Sequence, residues 1–297
     1  MLVGRDASGV RGILPLYVED APPAPLIPRR RAAFLADGTV GSDYLGLVAP
    51  VEDQAALAGE FAHRIAGDPM LGDADLFELH DFLAGDPLAE ALDPALRARG
   101  WGGVGTHPRY TCPYADLAGG DRDAWLAARK DGFGGQLREK RAKLERSRGF
   151  DLTIVQSPDQ VAAALEHLFT LHRARWAEQG SEAFPSARVE EFHRAAGRAL
   201  AERGWARVCI LSAGGEPVAA GYGFARAGRF AYYQAGLKPA WRARSAGTVL
   251  LGELVDRAFA EGLGEFDFLR GEEPYKYGFG PSPEDVFNIR ITGRITP

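Results

Sequence analysis

The chain has 297 residues, a length that suits two domains of roughly 150 residues each. Its 46% hydrophobic and 25% charged residues are typical of a globular protein, and no run approaches the roughly 18 apolar residues of a membrane-spanning helix. The net charge of −5 argues against a general nucleic-acid binder, so no DNA partner is predicted. Arg5 and Asp6 stand where a signal peptide would place its apolar stretch, which favours a cytoplasmic location.

The first half of the chain predicts a mixture of strands and helices. It opens with a hairpin in which a short strand and the segment RGILPLYVE flank the turn DASG, and a Pro-rich connection (APPAPLIPRRR) follows. A strand is then predicted at 44–48, a helix at 52–66, a strand in DLFELHDF and a helix at 87–99.

The second half shows a clearer order. Helices are predicted in WLAARK and onward to Arg148, at 158–179 and at 186–203, with the strand DLTIVQ before the last two. The period then changes to two, and ARVCILSA, PVAAGYGFA and FAYYQAGL predict three antiparallel strands joined by tight turns. A helix after Gly247, a strand in EFDFL, a short piece EEPYKYGF and a last strand DVFNIRI complete an α+β domain with a mostly antiparallel sheet. We therefore predict domains at 1–128 and 129–297.

The cysteines and histidines give no sign of a redox or metal centre. Cys209 lies in the apolar run VCIL, so it is predicted to be a buried, reduced thiol, and no disulfide framework is expected with Cys112. His167 and His172 are five residues apart, about 140° around a helix, and do not easily share one ion. No metal site is predicted.

The segment LKPAWRARSAGTVLL, which joins the third meander strand to a helix, carries the clearest functional signal. The first N–H groups of a helix have no intrahelical partner, and the helix dipole favours an anion there. Small residues let a phosphate approach the main chain, and arginines and hydroxyls add donors. A pyrophosphate site is predicted at six residues: Arg242, Arg244, Ser245, Ala246, Gly247 and Thr248.

This segment resembles the cofactor loop of the GNAT superfamily, which has Arg or Gln, two residues, Gly, one residue, then Gly or Ala. Here Arg242-x-x-Ser245-x-Gly247 follows Leu237-Lys238-Pro239 in the same register, with Ser245 where the family usually has Gly. A serine can adopt this turn if its φ stays negative. The resemblance implies that Leu237 and the loop bind acetyl-CoA or another acyl-CoA as co-substrate.

A second resemblance rests on residues 267–276, DFLRGEEPYK, supported upstream by LHRARW and EPVAAGYGF. These segments are similar to motifs of the CelD-type (cellulose-biosynthesis-type) acetyltransferases, relatives of the Fem-type peptidoglycan transferases, over about residues 120 to 280. The resemblance implies a tandem GNAT-like fold, a mixed sheet flanked by helices, whose second copy holds the cofactor.

The same segment supplies candidate catalytic groups. An alkylammonium group with a pKa of about 10.4 is almost wholly protonated at pH 7, so attack on a thioester gains from a base. Asp267, Glu272 and Glu273 are candidate bases, and Tyr275 or Tyr277 is a candidate acid for the departing thiolate.

Two further points about this segment stay open. Lys276 is a candidate contact for the coenzyme phosphates or an acidic substrate, and strand 232–237 is the natural source of backbone donors for a tetrahedral intermediate. Alternatively, Asp267, Arg270, Glu272 and Lys276 form a structural ion-pair cluster that closes the sheet.

The segment QLREKRAKLERSR contains six basic and two acidic residues. Fem-type relatives use aminoacyl-tRNA, which raises the possibility of an RNA contact. Because acidic residues are interleaved and no aromatic residue is present, a solvated or inter-domain helix is favoured over a tRNA contact.

The first half is predicted to be a degenerate or incomplete copy of the second. At the junction VAPVEDQ it has no arginine, and Glu52 and Asp53 would repel a pyrophosphate. It also lacks the first strand and two helices of the pattern. We expect it to bind no cofactor at this junction and to wall one side of the acceptor cleft.

Three hypotheses follow. The first is an N- or O-acyltransferase, in its simplest form an acetyltransferase, that acts by direct transfer on a small-molecule or glycan-precursor acceptor. The second is a Fem-like transferase that takes an aminoacyl group from tRNA. The third is a non-catalytic GNAT-fold accessory protein in polysaccharide biosynthesis.

Overall fold

The structure is a computed structural model that describes residues 1–24, 27–35, 40–67, 71, 74, 76–98, 100–101, 105–176, 184 and 186–292. The strands, in chain order, are β1 (Leu2–Asp6), β2 (Gly9–Leu14), β3 (Leu16–Ala24), β4 (Ile27–Phe34), β5 (Leu76–Leu83), β6 (Gly105–Asp116), β7 (Asp151–Val155), β8 (Ala206–Ala213), β9 (Glu216–Arg226), β10 (Arg229–Leu237), β11 (Glu265–Asp267) and β12 (Ser282–Thr292). The α-helices are α1 (Gln54–Gly67), α2 (Pro87–Arg97), α3 (Arg122–Ala127), α4 (Phe133–Glu145), α5 (Pro158–Trp176), α6 (Ala187–Glu202), α7 (Ala246–Ala260) and α8 (Pro274–Tyr277).

The first of two compact units comprises Met1–Thr111 and the residues from Glu284 onward. β1 and β2 form an antiparallel hairpin. In a separate sheet β3 pairs antiparallel with β4, β4 pairs parallel with β5, and β5 pairs antiparallel with β12. Phe61 and Ile65 of α1 and Leu92 of α2 are buried against this sheet in one apolar core, because each helix has its apolar residues on one face.

Several predictions for this unit are wrong. Residues 44–48 are not a strand, and only Val48 makes an isolated bridge, to Ile13. The predicted Pro-rich connection instead contains the end of β3 and the start of β4. RGILPLYVE forms two strands, divided at Pro15, which has no N–H to offer a ladder. The helices near 52–66 and 87–99 and the strand DLFELHDF are confirmed.

The second unit, Cys112–Pro283, contains a mixed sheet. β7, β8, β9 and β10 form an antiparallel meander, β11 joins β10 in parallel, and Tyr114–Asp116 of β6 pair antiparallel with β11. The three predicted meander strands are confirmed, with glycines at positive φ in their turns, such as Gly214 and Gly228. The prediction of an α+β fold with a mixed sheet flanked by helices is confirmed.

Helices cover both faces of this second sheet. A Cβ atom on Gly221 of β9 would lie 3.0 Å from Leu254 of α7. A Cβ atom on Gly236 of β10 would lie 2.5 Å from the main-chain nitrogen of His172 on α5. Gly221 pairs with Ala235, and neighbours in a strand face opposite sides, so α7 and α5 pack on opposite faces. Gly236 lets α5 approach β10 closely.

The predicted domains, 1–128 and 129–297, stay a prediction. Among the described residues, no helix combines the length and the apolar character that crossing a membrane requires.

Candidate functional site

The candidate site lies where β10 and β11 part. The two strands pair from Arg229↔Glu265 to Ala231↔Asp267, and β11 ends there, whereas β10 continues to Leu237. A cavity of about 300 Å³ opens beside this last part of β10. Its walls come from β10, the following turn, α7 and α8: Tyr232, Ala235, Gly236, Leu237, Arg242, Ser245, Gly247, Thr248, Leu250 and Tyr275.

One wall is the start of α7. After β10 the chain forms a 3₁₀ turn, Pro239–Arg244, and Ser245 then takes the left-handed conformation (φ 59°, ψ 28°), which turns the chain into the helix. The carbonyl of Ser245 accepts the N–H of Val249 at 3.1 Å. The N–H groups of the helical residues before Val249 therefore make no i to i−4 hydrogen bond within the helix. The helix start therefore presents amide donors and the positive end of its dipole beside the cavity.

The condition of a negative φ at Ser245 is not met, since its φ is 59°. The positive φ is the conformation that glycine adopts without cost, which explains why a glycine suits this position.

Replacing Ser245 with glycine is expected to raise the free energy of unfolding by about 0.5–1 kcal/mol, because relief of the left-handed strain exceeds the added chain entropy. Urea denaturation measures the change. The matched control is Ser245→Ala, which keeps the strain and loses only a hydroxyl that makes no capping hydrogen bond. If Ser245→Ala gained as much as Ser245→Gly, backbone strain would not be the cause.

The seven residues predicted to bind a cofactor divide into two groups. Five line the cavity: Leu237, Arg242, Ser245, Gly247 and Thr248. Arg244 instead lays its guanidinium over the ring of Trp241, 4.7 Å from the ring centre, and Ala246 is fully buried at the first position of α7. Their predicted role stays a prediction.

The four predicted catalytic residues also divide. Tyr275 on α8 lines the cavity. Glu272 is exposed, and the hydroxyl of Tyr277 donates to its carboxylate at 3.2 Å. Asp267 is fully buried, and its Oδ1 accepts the N–H of Leu269 at 2.8 Å while Oδ2 accepts from Arg229 at 3.3 Å.

Lys276 belongs to α8, and its side chain is buried against the loop that joins β11 to α8. Its Nζ donates to the carbonyls of Arg270 and Gly271 at 2.8 and 2.9 Å, and it forms an ion pair with Glu273 at 2.8 Å. The loop contains two positive φ values, at Leu269 and Gly271, that bring these carbonyls together. Lys276 therefore holds the loop from which α8 and Tyr275 project. The catalytic roles predicted for these four residues stay predictions.

Sequence reasoning did not assign four residues of the cavity wall. It treats Tyr232, Ala235 and Gly236 only as part of a strand that supplies backbone donors, and Leu250 only as helix core, but all four line the cavity. Alternation along β10 was available as a signal, because Tyr232, Ala235 and Leu237 face α7 once the bulge after Tyr232 is counted.

Residues 133–277 match the sequence profile of the family described as "Acetyltransferase (GNAT) domain". The second unit contains a GNAT domain. The match includes the cavity, the turn and α8, and it confirms the prediction of a GNAT-type transferase. No curated protein matches the sequence.

Solved structures show the same fold over almost the whole chain. FemX is 12% identical with a TM-score of 0.62, and the match covers 96% of this chain and 86% of FemX. The C-terminal domain of a putative lysylphosphatidylglycerol synthetase from Agrobacterium fabrum is 12% identical, with 98% and 83% covered and a TM-score of 0.59. L-PGS from Bacillus licheniformis is 13% identical, with 96% and 82% covered and a TM-score of 0.57. At these identities the likeness shows the fold alone.

The face of the GNAT domain opposite the cavity contains a buried aromatic cluster. His193 of α6 lies within 3.3 Å (Nε2) of the hydroxyl of Tyr233 on β10, and burial lowers the pKa of His193 to about 4. The rings that surround it are those of Phe184, Phe192, Tyr222 and Tyr233. Because these neighbours bring no negative charge, the imidazole is neutral in the folded protein at pH 7.

Acidification is expected to destabilise the GNAT domain through His193. The unfolded chain binds a proton there below about pH 6.5, whereas the folded protein resists until about pH 4. The contribution of His193 to the free energy of unfolding is therefore fully present above pH 6.5 and is lost as the pH drops. The loss between pH 7 and pH 5 is about 2 kcal/mol. Urea denaturation at both pH values measures this loss. The loss should be smaller in His193→Gln, and it should be unchanged in the control His167→Gln, whose side chain is exposed. An equal loss in both variants would contradict the assignment.

The first unit repeats the order of strand, 3₁₀ turn and helix. β4 is followed by the turn Val51–Asp53 and α1, and β4 pairs in parallel with β5. At this helix start Glu52 is exposed and Asp53 forms an ion pair with Arg11. The prediction that this junction binds no cofactor stays a prediction.

Proposed function

We propose that the GNAT domain transfers an acyl group, in the simplest case acetyl, from acyl-CoA directly to a nitrogen or oxygen of a small-molecule or glycan-precursor acceptor. The observation that carries this proposal is the cavity between the diverging end of β10 and the start of α7. It combines free helix-start amides, the guanidinium of Arg242 and the hydroxyls of Ser245 and Thr248, a donor set that suits a pyrophosphate.

The chemistry follows from this placement. With the pyrophosphate at the turn, the pantetheine arm would follow the open edge of β10, and main-chain N–H groups of β10 would face the thioester carbonyl. A neutral amine or a hydroxyl attacks the carbonyl carbon, and the tetrahedral intermediate collapses with loss of the CoA thiolate. Burial raises the pKa of the Cys209 thiol, which disfavours a covalent route through that residue.

Among the predicted catalytic residues, we assign the acid role to Tyr275 and the base role to Glu272. Tyr275 lines the cavity, where its hydroxyl can protonate the departing thiolate, and Glu272 is exposed beside α8, where an acceptor has access to its carboxylate. The buried contacts of Asp267 and Lys276 support a role in shaping the loop instead.

Tyr275→Phe is expected to lower turnover about three- to tenfold, with the KM for acyl-CoA almost unchanged. The effect is modest because a thiol with a pKa of about 8.5 needs little help to leave as thiolate. Steady-state release of CoA measures both constants. Tyr110→Phe is the control, since it removes a tyrosine hydroxyl that donates to Asp43 in the first unit and is not part of the cavity wall. Equal effects of the two variants would remove Tyr275 from its proposed role.

Calorimetric titration with acetyl-CoA and with longer acyl-CoAs tests the proposal directly. We expect saturable binding of at least one of them, and release of CoA thiol when pooled amines and amino sugars are added. Absence of binding by every acyl-CoA would refute the proposal.

A Fem-like reaction with aminoacyl-tRNA is the second candidate. It is supported by the fold shared with FemX and by exposed cations on and after α4 that make no ion pair within the described parts of the chain. An aminoacyl-tRNA donor used without any acyl-CoA would favour it. We further propose that the chain belongs to the CelD-type family, which DFLRGEEPYK supports, and that its first unit binds no cofactor, which the acidic junction at Glu52 supports. A cytoplasmic location is also proposed.

A further inference from the structure

The basic residues at the end of α4 are not explained by the fold. Arg141 forms ion pairs with Glu253 and Glu145. Its basic neighbours make no ion pair among the residues that the structure describes, although Glu139 and Glu145 lie on the same helix. These neighbours are exposed or half-buried: Arg138, Lys140, Lys143, Arg146 and Arg148. Such a cluster of unneutralised cations favours an anionic ligand.

α4 lies beside the predicted cofactor turn. Leu137 of α4 packs on Gly252 of α7, where a Cβ atom would lie 2.9 Å from the leucine side chain, and α4 also contacts the turn Pro239–Arg244. The chain three residues after α4 is tied to the β8–β9 hairpin turn, since the carbonyl of Arg148 accepts the N–H of Gly214 at 2.6 Å.

The start of the cofactor turn is tied to the same hairpin. Lys238, the residue before the turn, forms an ion pair of 2.6 Å with Glu216. The chain just after α4, at Arg148, and the residue before the turn, Lys238, are therefore anchored to one hairpin, at Gly214 and Glu216. Lys143, the last cation within α4, and Arg146, which follows it, are the nearest cations before Arg148 in the chain.

We propose that Lys143, Arg146 and Arg148 bind the 3′-phosphate of acyl-CoA. This inference rests on the proposed function, in which the turn holds the pyrophosphate. In coenzyme A the 3′-phosphate is one ribose away from the pyrophosphate and carries close to two negative charges at pH 7, since the second pKa of a phosphate monoester is about 6. In this proposal Lys143, Arg146 and Arg148 bind the 3′-phosphate, whereas Arg242 and the helix-start amides bind the pyrophosphate.

The test is a comparison of CoA with 3′-dephospho-CoA, which differ only in the proposed ligand group. Affinities are measured by calorimetry at one low salt concentration, because screening weakens contacts between exposed charges. The wild type is expected to bind CoA about tenfold more tightly than dephospho-CoA. The variant Lys143→Gln/Arg146→Gln/Arg148→Gln is expected to bind both equally, at the wild-type affinity for dephospho-CoA. The control Arg188→Gln/Arg203→Gln removes two exposed arginines at the ends of α6. It is expected to keep the wild-type preference for CoA over dephospho-CoA.

The remaining outcomes separate this inference from the proposed function. If the wild type binds both ligands equally, or if the triple variant loses affinity for both to the same extent, the 3′-phosphate assignment is wrong and the cavity assignment stands. If the triple variant keeps its preference for CoA but loses binding of tRNA, the cations serve RNA and the assignment is likewise wrong. If neither ligand binds to the wild type, the proposed function itself fails.

Discussion

Arg242→Ala is expected to weaken acetyl-CoA binding about 10- to 100-fold. Arg242 is the only arginine among the residues that line the cavity wall described above. A hydrogen bond to a charged group contributes about 1.5–3 kcal/mol, and each 1.4 kcal/mol is about tenfold in affinity. The helix-start amides remain in the variant, so some affinity should persist. Titration calorimetry of wild type and variant gives the ratio.

Arg244→Ala provides an internal comparison. Its guanidinium rests on Trp241 instead of lining the cavity, so we expect a loss of about threefold or less, from long-range attraction alone. The double variant should approach the Arg242→Ala value, and Arg188→Ala on α6 should bind as the wild type does. Unchanged affinity in the double variant would remove the turn from the cofactor site.

Lys276→Met is expected to lower the free energy of unfolding by about 2–4 kcal/mol, because it removes a buried ammonium group from two loop carbonyls and from a half-exposed carboxylate. The methionine would leave the carbonyls of Arg270 and Gly271 and the carboxylate of Glu273 without their cation. Urea denaturation gives this difference. Because the loop also positions α8, affinity for acyl-CoA should fall in parallel.

Lys238→Met is the matched control for this prediction. Lys238 also forms an ion pair of 2.6 Å with a glutamate, but both side chains are exposed, so we expect a loss below about 1 kcal/mol. If Lys276→Met were as stable as the wild type and lost only acyl transfer, the structural explanation would be wrong and the predicted catalytic role of Lys276 would gain support.

The sequence alone was sufficient where the signals are local. The meander β8–β10 follows from period-two alternation between glycine turns, and α7 follows from apolar residues at helical spacing. The predicted cofactor turn rests on the same basis, since a strand end, small residues and a helix start are neighbours in the chain. Five of the seven residues predicted to bind the cofactor line one cavity.

The first unit was harder to predict because its strands depend on distant partners. Prolines in β3 and β4 indicated a connection, yet these segments pair with each other, and β4 pairs with β5 more than forty residues later. Of the segment 44–48, Val48 makes a β-bridge with Ile13, and among the described residues the segment joins no ladder, so no strand forms there. Strand formation requires a neighbour to accept its hydrogen bonds, and local composition does not identify one.

The turn Pro239–Arg244, its helix start and the order of elements around them are thus determined by the sequence itself, because each is set by residues that are close together in the chain. Only the tertiary structure decided the state of the charged residues in DFLRGEEPYK. Charged side chains are usually exposed, and burial of Asp267 and Lys276 depends on the loop carbonyls and on Arg229 of a different strand. The fold brings these partners together across about forty residues, and that proximity decides which side chains reach the cavity and which hold it in shape.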